Sequence, residues 1–368
     1  MRTINKRSSR HKVDSLFKTL REQIVNGSIA DGEALPAPEI IADENGVSVI
    51  TIKRIMAKLA DEGLVDRVRG QGTFARSGSH ANKHLNIGIV DSITSPNSTD
   101  LQKVMGEIST TCAELLDTPG ISIHRISYGD MLSPERVSEV LAQLDGMLIG
   151  CSHFDERTRE LIDSLPIPKV MYGNEFIHES TISQVVPDFN TAMPHVAQYL
   201  ADNAFQEIII VHEDHNNARI RSEAFRSAVI NAGYPPHLIT ELTPQSVGKS
   251  DGGYRLASQL LQKTAKRFIF SSSDFVSFGI VDAMHDLGIT LGGDTQLLSS
   301  DNLEGRGVSI YPHPLLSSID PERRTIAAKA VELLHYKINN PDPCQYIIKV
   351  PSRLVIRKTA NINPHKEN

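Results

Sequence analysis

The run Ser48-Val49-Ile50-Thr51-Ile52-Lys53-Arg54-Ile55-Met56-Ala57-Lys58-Leu59, continued by Glu62-Gly63-Leu64-Val65 and then Arg67-Val68-Arg69-Gly70-Gln71-Gly72-Thr73-Phe74-Ala75, decides the fold of the amino-terminal part. Ser48 is a natural N-cap for a helix over about 49–62, and Gly63 is placed to end it. Ile52, Ile55, Met56 and Leu59 form one narrow apolar stripe, which must face a core. Stepping 100° per residue puts Ile50, Arg54 and Asp61 on the opposite side, Thr51 and Lys53 on the flanks, and Val49 near the edge of the stripe. An outward isoleucine beside Thr, Lys and Arg either packs on a neighbouring helix or is simply exposed, or it enters a major groove, where it can meet a thymine methyl.

Working outward, Leu64–Val68 alternates toward a strand, Arg69-Gly70-Gln71-Gly72 makes a turn, and Thr73-Phe74-Ala75 begins a second strand. Upstream, Val13, Leu16, Phe17, Leu20 and Ile24 recur at helical spacing and predict a helix over 13–25. Pro38 suits the first turn of a second helix, about 38–45, and Gly46 turns the chain after it. Three helices followed by a hairpin with a Gly-rich, basic tip predict a winged helix. Its glycines would let the tip approach a sugar-phosphate backbone, with charge from Arg67, Arg69 and Arg76. The charge distribution agrees. The whole chain is −6, but residues 1–83 hold 14 Lys+Arg against 10 Asp+Glu, and the remainder 24 against 34. A basic head on an acidic body confines any polyanion contact to the head.

The series Leu20-Arg21-Glu22-Gln23-Ile24, Gly27, Gly32, Leu35-Pro36, Ala42, Val47-Ser48, Thr51, Leu59, Glu62-Gly63-Leu64-Val65 and Gly70-Gln71-Gly72-Thr73-Phe74 closely resembles GntR-type winged-helix repressors over about 60 residues. The resemblance implies DNA contact by Ser48, Thr51, Lys53, Gly70 and Gln71. Val49, Ile50, Arg54 and Arg69 join them as candidates by position. Relatives usually carry Arg where this chain has Glu39 and Val49, so the usual operator sequence is not expected.

The 368 residues suggest two or three domains. With 40% hydrophobic and 22% charged residues, the chain is ordinary for a globular protein and too apolar for a disordered one. No apolar run approaches the ~18 residues of a membrane span, and the start has no apolar stretch of a secretory signal. Cys112, Cys151 and Cys344 are too far apart for a CxxC-type zinc site or a disulfide framework. These features point to a cytoplasmic protein.

Residues 77–84 are small and polar and read as a linker between a head, 1–76, and a body, 85–368. The body alternates strand and helix. Strands are expected at Asn86–Asp91, Ile121–Ser127, Gly146–Cys151, Pro168–Tyr172, Glu207–His212, Arg267–Ser271 and Thr295–Ser299, and helices at 101–116, 133–144, 190–203, 218–232 and 276–287. Such alternation demands doubly wound parallel sheets, and the length suggests two lobes with a ligand cleft between them. No GxGxxG follows the first strand, and neither a GxxxxGK[ST] nor a GxSxG motif is present. His212-Glu213-Asp214-His215 has metal-like composition but not the spacing of a helical HExxH site, so a polar loop is expected there, with no metal and no cofactor.

Arg221-Ser222-Glu223-Ala224-Phe225 with Gly233, Phe270–Asp274 through Phe278-Gly279, Leu298-Ser299-Ser300-Asp301-Asn302, Leu316–Ile319, Leu354–Arg357 and Leu144–Ile149 form an ordered series. It is similar to the effector domains of LacI/galactose-repressor proteins over essentially 85–360. The implied fold class is α/β: an N-terminal winged helix plus a two-lobed, periplasmic-binding-protein-like body. The resemblance implies that Arg221 and Asp301 hydrogen-bond the effector, since a guanidinium fork and a carboxylate can hold neighbouring sugar hydroxyls, or a carboxylate. Asp274 would cap the next helix more readily than touch ligand, and Ser273 stands where relatives carry Asn. Asp91, Ser92 and Ser152 are cleft candidates by position. The combination is similar to arabinose-responsive repressors of this mixed architecture. It implies a homodimer that binds two-fold double-stranded operator DNA and is released by a small-molecule effector, a sugar being expected, with no membrane partner. The alternatives are an effector-activated regulator with a non-sugar ligand, a solute-binding protein, or an enzyme fused to a winged helix.

Overall fold

The computed structural model describes residues 5–25, 28–30, 32–68, 72–76, 84–91, 106–127, 143–150, 160, 162–173, 176–177, 180–244 and 249–362. The chain divides into two units, Met1–Leu85 and Asn86–Asn368.

The first unit holds α1 (Asn5–Val25), α2 (Pro38–Asn45), α3 (Val49–Asp61), β1 (Val65–Val68) and β2 (Gly72–Ala75). β1 and β2 pair antiparallel, with Val65 opposite Ala75 and Val68 opposite Gly72, and Ala34 adds a single bridge to Phe74. The stripe Ile52, Ile55, Met56 and Leu59 is buried against Leu20 and Ile24 of α1, Ile41 of α2 and Leu64, Val65 and Ala75 of the hairpin. Burying that face stabilises the three helices, because helices this short are marginal in isolation. Ser48 caps α3: its Oγ accepts from Thr51 N at 3.2 Å. Gly63, at φ +69°, follows the last turn in the left-handed region that only glycine adopts without strain. This is the winged helix expected from the sequence; α1 starts earlier than the periodicity from Val13 indicated.

The second unit contains two six-stranded sheets. In lobe 1 the strands are β3 (Leu85–Asp91), β4 (Ile121–Ser127), β5 (Gly146–Gly150), β6 (Lys169–Tyr172), β7 (Ser183–Asp188) and β13 (Ile347–Pro351), in the order β13-β7-β6-β5-β3-β4. In lobe 2 they are β8 (Glu207–Val211), β9 (Ile239–Leu242), β10 (Arg267–Ser271), β11 (Thr295–Ser300), β12 (Ser317–Asp320) and β14 (Arg353–Val355), in the order β14-β12-β11-β10-β8-β9. The recorded pairings are parallel except β14 on β12. Helices α4 (Glu107–Leu116), α5 (Met193–Asn203), α6 (Asn216–Asn231), α7 (Lys249–Leu260), α8 (Asp274–Asp286) and α9 (Arg323–Asn339) cover the faces. This is the two-lobed α/β body expected from the resemblance.

Three segments cross between the lobes. β7 runs through a 3-10 turn, Phe189–Ala192, into α5, whose Met193, Val196 and Leu200 join the lobe 2 core of Ile208, Phe225 and Phe268. β12 of lobe 2 leads into α9, which packs on α4, β5, β6 and β7 of lobe 1. β13 of lobe 1 leads back to β14 of lobe 2 through Ser352.

Several strands were not anticipated. β7, β9, β12, β13 and β14, and the helices α7 and α9, are additional to the expected elements; β9, β13 and β14 are short and largely exposed, whereas the polar composition of β12 hides its burial. β12 reads Ser317-Ser318-Ile319-Asp320 yet is buried throughout, with its serine hydroxyls held by Asp274 and Ala360. β5 is described to Gly150, and the expected Cys151 lies outside the described residues; β8 ends one residue earlier than expected, at Val211, and β11 runs one further, to Ser300. The predicted helix 133–144 falls almost wholly outside the described residues, as do the linker residues 77–83 and the first turn expected at 101–105.

Candidate nucleic-acid interface and effector cleft

The capped start of α3 presents a polar, exposed face. Ile50 is 73% exposed, Ser48, Lys53 and Arg54 are exposed, and Thr51 is half-buried with its Oγ1 2.8 Å from Ser48 Oγ. Val49 is half-buried and packs against the helical core, so it is less available than its neighbour. Glu39 is exposed at the start of α2. On the hairpin Arg67 is exposed, and Arg76 pairs with Asp66 at 2.9 Å. Arg69, Gly70 and Gln71 lie outside the described residues.

In the second unit the carboxyl ends of β8, β10 and β11 converge on one buried cluster. Arg221 sits on α6, one turn after Asn217, and is 3% exposed. Its Nη1 donates to Ser272 O at 2.8 Å, its Nη2 donates to Asp301 Oδ1 at 2.8 Å, and the Phe189 ring lies 5.1 Å from its guanidinium. The two residues that the family resemblance singled out, 80 positions apart in sequence, are therefore directly bonded. Among the described residues, Arg221 Nε, Asn217 Oδ1, Ser222 Oγ, Ser272 Oγ and Ser300 Oγ are buried without a hydrogen-bond partner. Unsatisfied buried polar atoms are costly, and a group of them at strand ends marks a place where a ligand can supply the missing partners.

Sequence reasoning missed Arg323. It opens α9 directly after the β12 crossing, is 3% exposed, and donates to Asp301 O at 2.8 Å and to Asp301 Oδ1 at 3.0 Å. A signal was present: Arg323-Arg324 follow Asp320-Pro321-Glu322, and cations at a helix start oppose the helix dipole. Asp301, Asn302 and Glu322 adopt positive φ of 129°, 52° and 57°. Non-glycine residues rarely do so, and such strain collects at functional and hinge positions.

Asp274 is the first residue of α8, with Ser273 as its N-cap. Its two carboxylate oxygens accept from Leu303 N at 2.7 Å and Ser318 Oγ at 2.9 Å, so it bolts the β11 and β12 strand ends together. Burial, reinforced by the charge of Asp301, pushes its pKa up to about 7. Ser273 is buried, and its carbonyl accepts from Ser271 Oγ and Ser277 Oγ. Asp91 closes β3, while Ser92 and Ser152 fall outside the described residues. His215 caps α6 through Ala218 N, and among the described residues no three His, Cys, Asp or Glu side chains converge as a metal site. A groove of about 530 Å³, walled by Phe176, Asp188, Phe189, Arg219, Glu223 and Lys349, shares only Phe189 with the surroundings of Arg221.

Comparison with known proteins accounts for both units. Residues 12–75 match the family of bacterial regulatory proteins, gntR family, and residues 197–360 match a periplasmic binding protein-like domain. The chain joins a GntR-type head to a periplasmic-binding-protein-like body. Similar curated proteins include the HTH-type transcriptional repressor PurR of Vibrio parahaemolyticus, 23% identical over 86% of this chain and 96% of the relative. PurR of Pasteurella multocida is 24% identical over 59% of this chain and 65% of the relative, and catabolite control protein A of Priestia megaterium is 24% identical over the same shares. The fold matches that of a LacI family transcriptional regulator from Enterococcus faecium solved with bound ribose, at TM-score 0.56 and 19% identity over 76% of this chain and 99% of that one. α3 lies within the matched segment of the GntR-type head, and the Arg221 cluster lies in the periplasmic-binding-protein-like body.

Proposed function

We propose that this chain is a ligand-responsive transcriptional repressor, dimeric on a two-fold operator and released from it when a small polyhydroxylated effector of the sugar class binds the cleft. The observation that carries the reading is the exposed start of α3, where Ser48 caps a helix that holds Ile50, Lys53 and Arg54 away from the core. A helix of this kind lies in a major groove with its first turns on the base edges. The Arg221–Asp301 pair supports the ligand half of the reading, because it stands beside unsatisfied donors and acceptors at the strand ends. Arg69, Gly70 and Gln71 complete the DNA contacts at the hairpin tip, and Ser273, Asp91, Ser92 and Ser152 border the effector. Closure of the cleft changes the separation of the two heads, and the coupling between effector and operator is reciprocal.

The test is selection of a binding duplex from a random DNA library, followed by a salt series. Log affinity should fall linearly with log salt, by about 0.9 per phosphate contacted, and Lys53→Ala should flatten that slope by about one unit. A protein that selects no sequence and binds no DNA at low salt is not a repressor.

A further inference from the structure

The charge arrangement around Asp301 narrows the class of effector. Two guanidinium groups, Arg221 and Arg323, each 3% exposed, converge on one carboxylate oxygen, Asp301 Oδ1. Among the described residues, the other acids nearby bond neither of these two guanidinium groups. Arg306 takes Asp320 in a two-pronged pair at 3.0 and 3.1 Å and also holds Glu107 at 2.5 Å. Asp274 turns both oxygens to Leu303 N and Ser318 Oγ instead of to a guanidinium, and burial makes it a weak acid. Arg323 also stands at the amino end of α9, where the helix dipole adds positive potential. Burial, with Arg306 and Arg221 nearby, lowers its pKa despite the attraction of Asp301. Meanwhile Arg221 Nε is a buried donor with no acceptor among the described residues.

We propose that the cleft takes an anionic effector, a hydroxylated small molecule whose carboxylate or phosphate is held by Arg221 and Arg323 while Asp301 accepts from its hydroxyls. This rests on the reading of the cleft as an effector site and makes the sugar of that reading an acid. Planar guanidinium groups match oxyanions through paired, charge-assisted hydrogen bonds. Two guanidinium groups share one carboxylate oxygen and Arg221 Nε has no acceptor among the described residues, so an oxyanion offers these donors a charged partner that a neutral sugar does not. Asp301 is 13% exposed and, among the described residues, the bonds it accepts fall on Oδ1 and the main-chain oxygen, which leaves Oδ2 for ligand hydroxyls.

The experiment is thermal unfolding of the full chain with matched pairs at constant ionic strength set by NaCl: D-gluconate against D-glucose, D-galacturonate against D-galactose, ribose 5-phosphate against ribose, and inorganic phosphate alone. At least one acid should raise the midpoint saturably while its neutral twin does not, and the responding pair separates a carboxylate from a phosphate ligand. Arg323→Gln should weaken that acid roughly ten- to a hundredfold, and Arg323→Lys should recover part of the loss. The proposal is overturned if a neutral sugar matches its acid twin, if no anion acts beyond the NaCl control, or if Arg323→Gln binds the acid as wild type does. The wild-type pairs decide the matter even if that variant fails to fold. A gel shift on the selected duplex separates the two readings. An acid that binds without altering DNA affinity refutes the repressor reading alone, and a neutral sugar that releases DNA refutes the anionic effector alone.

Discussion

Asp274 shows how one side chain can be conspicuous in sequence and differently employed in the fold. It follows a strand and opens a helix, which is where a cleft residue would stand, yet its carboxyl is engaged by Leu303 N and Ser318 Oγ. Its pKa rises from 3.8 to about 7 because burial disfavours the charge and Asp301 repels it. The native state therefore keeps this proton to higher pH than the unfolded chain. The group favours folding most below about 4, and that contribution is withdrawn as pH rises toward 7. Asp274→Asn keeps an acceptor for Leu303 N and has no proton to lose. Denaturant unfolding of both proteins between pH 4.5 and 7.5 should show wild type losing stability relative to the variant as pH rises. Parallel curves would mean that Asp274 does not titrate in this window.

At the level of elements, α3 divides its isoleucines between two tasks. Ile52 is wholly buried, whereas Ile50 is mostly exposed. Ile52→Ala should cost ~2–5 kcal/mol in unfolding, and Ile50→Ala should change stability by less than ~0.5 kcal/mol. The Ile50 variant should nonetheless bind the selected duplex more weakly, and uracil in place of thymine should reproduce the loss in wild type. Equal binding by both isoleucine variants would place Ile50 away from the bases. The apolar stripe made this helix legible, because one buried face at 3.6-residue spacing needs no distant partner to be recognised. α7 and β12 lacked such a signal. α7 contains Gly253, where an added Cβ would sit 2.0 Å from Val276 O, and a Cβ added to Gly279 of α8 would sit 1.8 Å from Ser250 O. Both distances are those of a hypothetical Cβ, so only glycine at 253 and 279 lets the two helices touch backbone to backbone, a contact that appears in neither helix's own periodicity.

For the molecule as a whole, the second unit is two sheets joined by three crossings, and an ion cluster braces the joint. Glu107 of lobe 1 bonds Arg306 of lobe 2, which also grips Asp320 at the crossing. Arg324, at the start of α9, stands 3.8 Å from the same glutamate. Glu107→Gln removes the charge that holds these arginines across the joint. Amide hydrogen exchange at residues 320–324 should rise, while the core strands Phe268–Phe270 remain protected. Exchange equal to wild type at the crossing would show that the cluster does not brace it.

The sequence by itself determined the winged helix, the alternating α/β body and the main strands, since β4 and β10 fall within the expected boundaries and α3 was read from its stripe and cap. These are properties of local periodicity and turn chemistry, which depend on neighbours in the chain. Family resemblance added Arg221 and Asp301. Only the tertiary structure decided that these two share a hydrogen bond, that Arg323 joins them from across the lobe crossing, and that Asp274 serves the strand ends. Each of those facts depends on residues dozens of positions apart meeting at the carboxyl ends of parallel strands. The charge balance of the cleft is a sum over that meeting point, so no single stretch of sequence carries it.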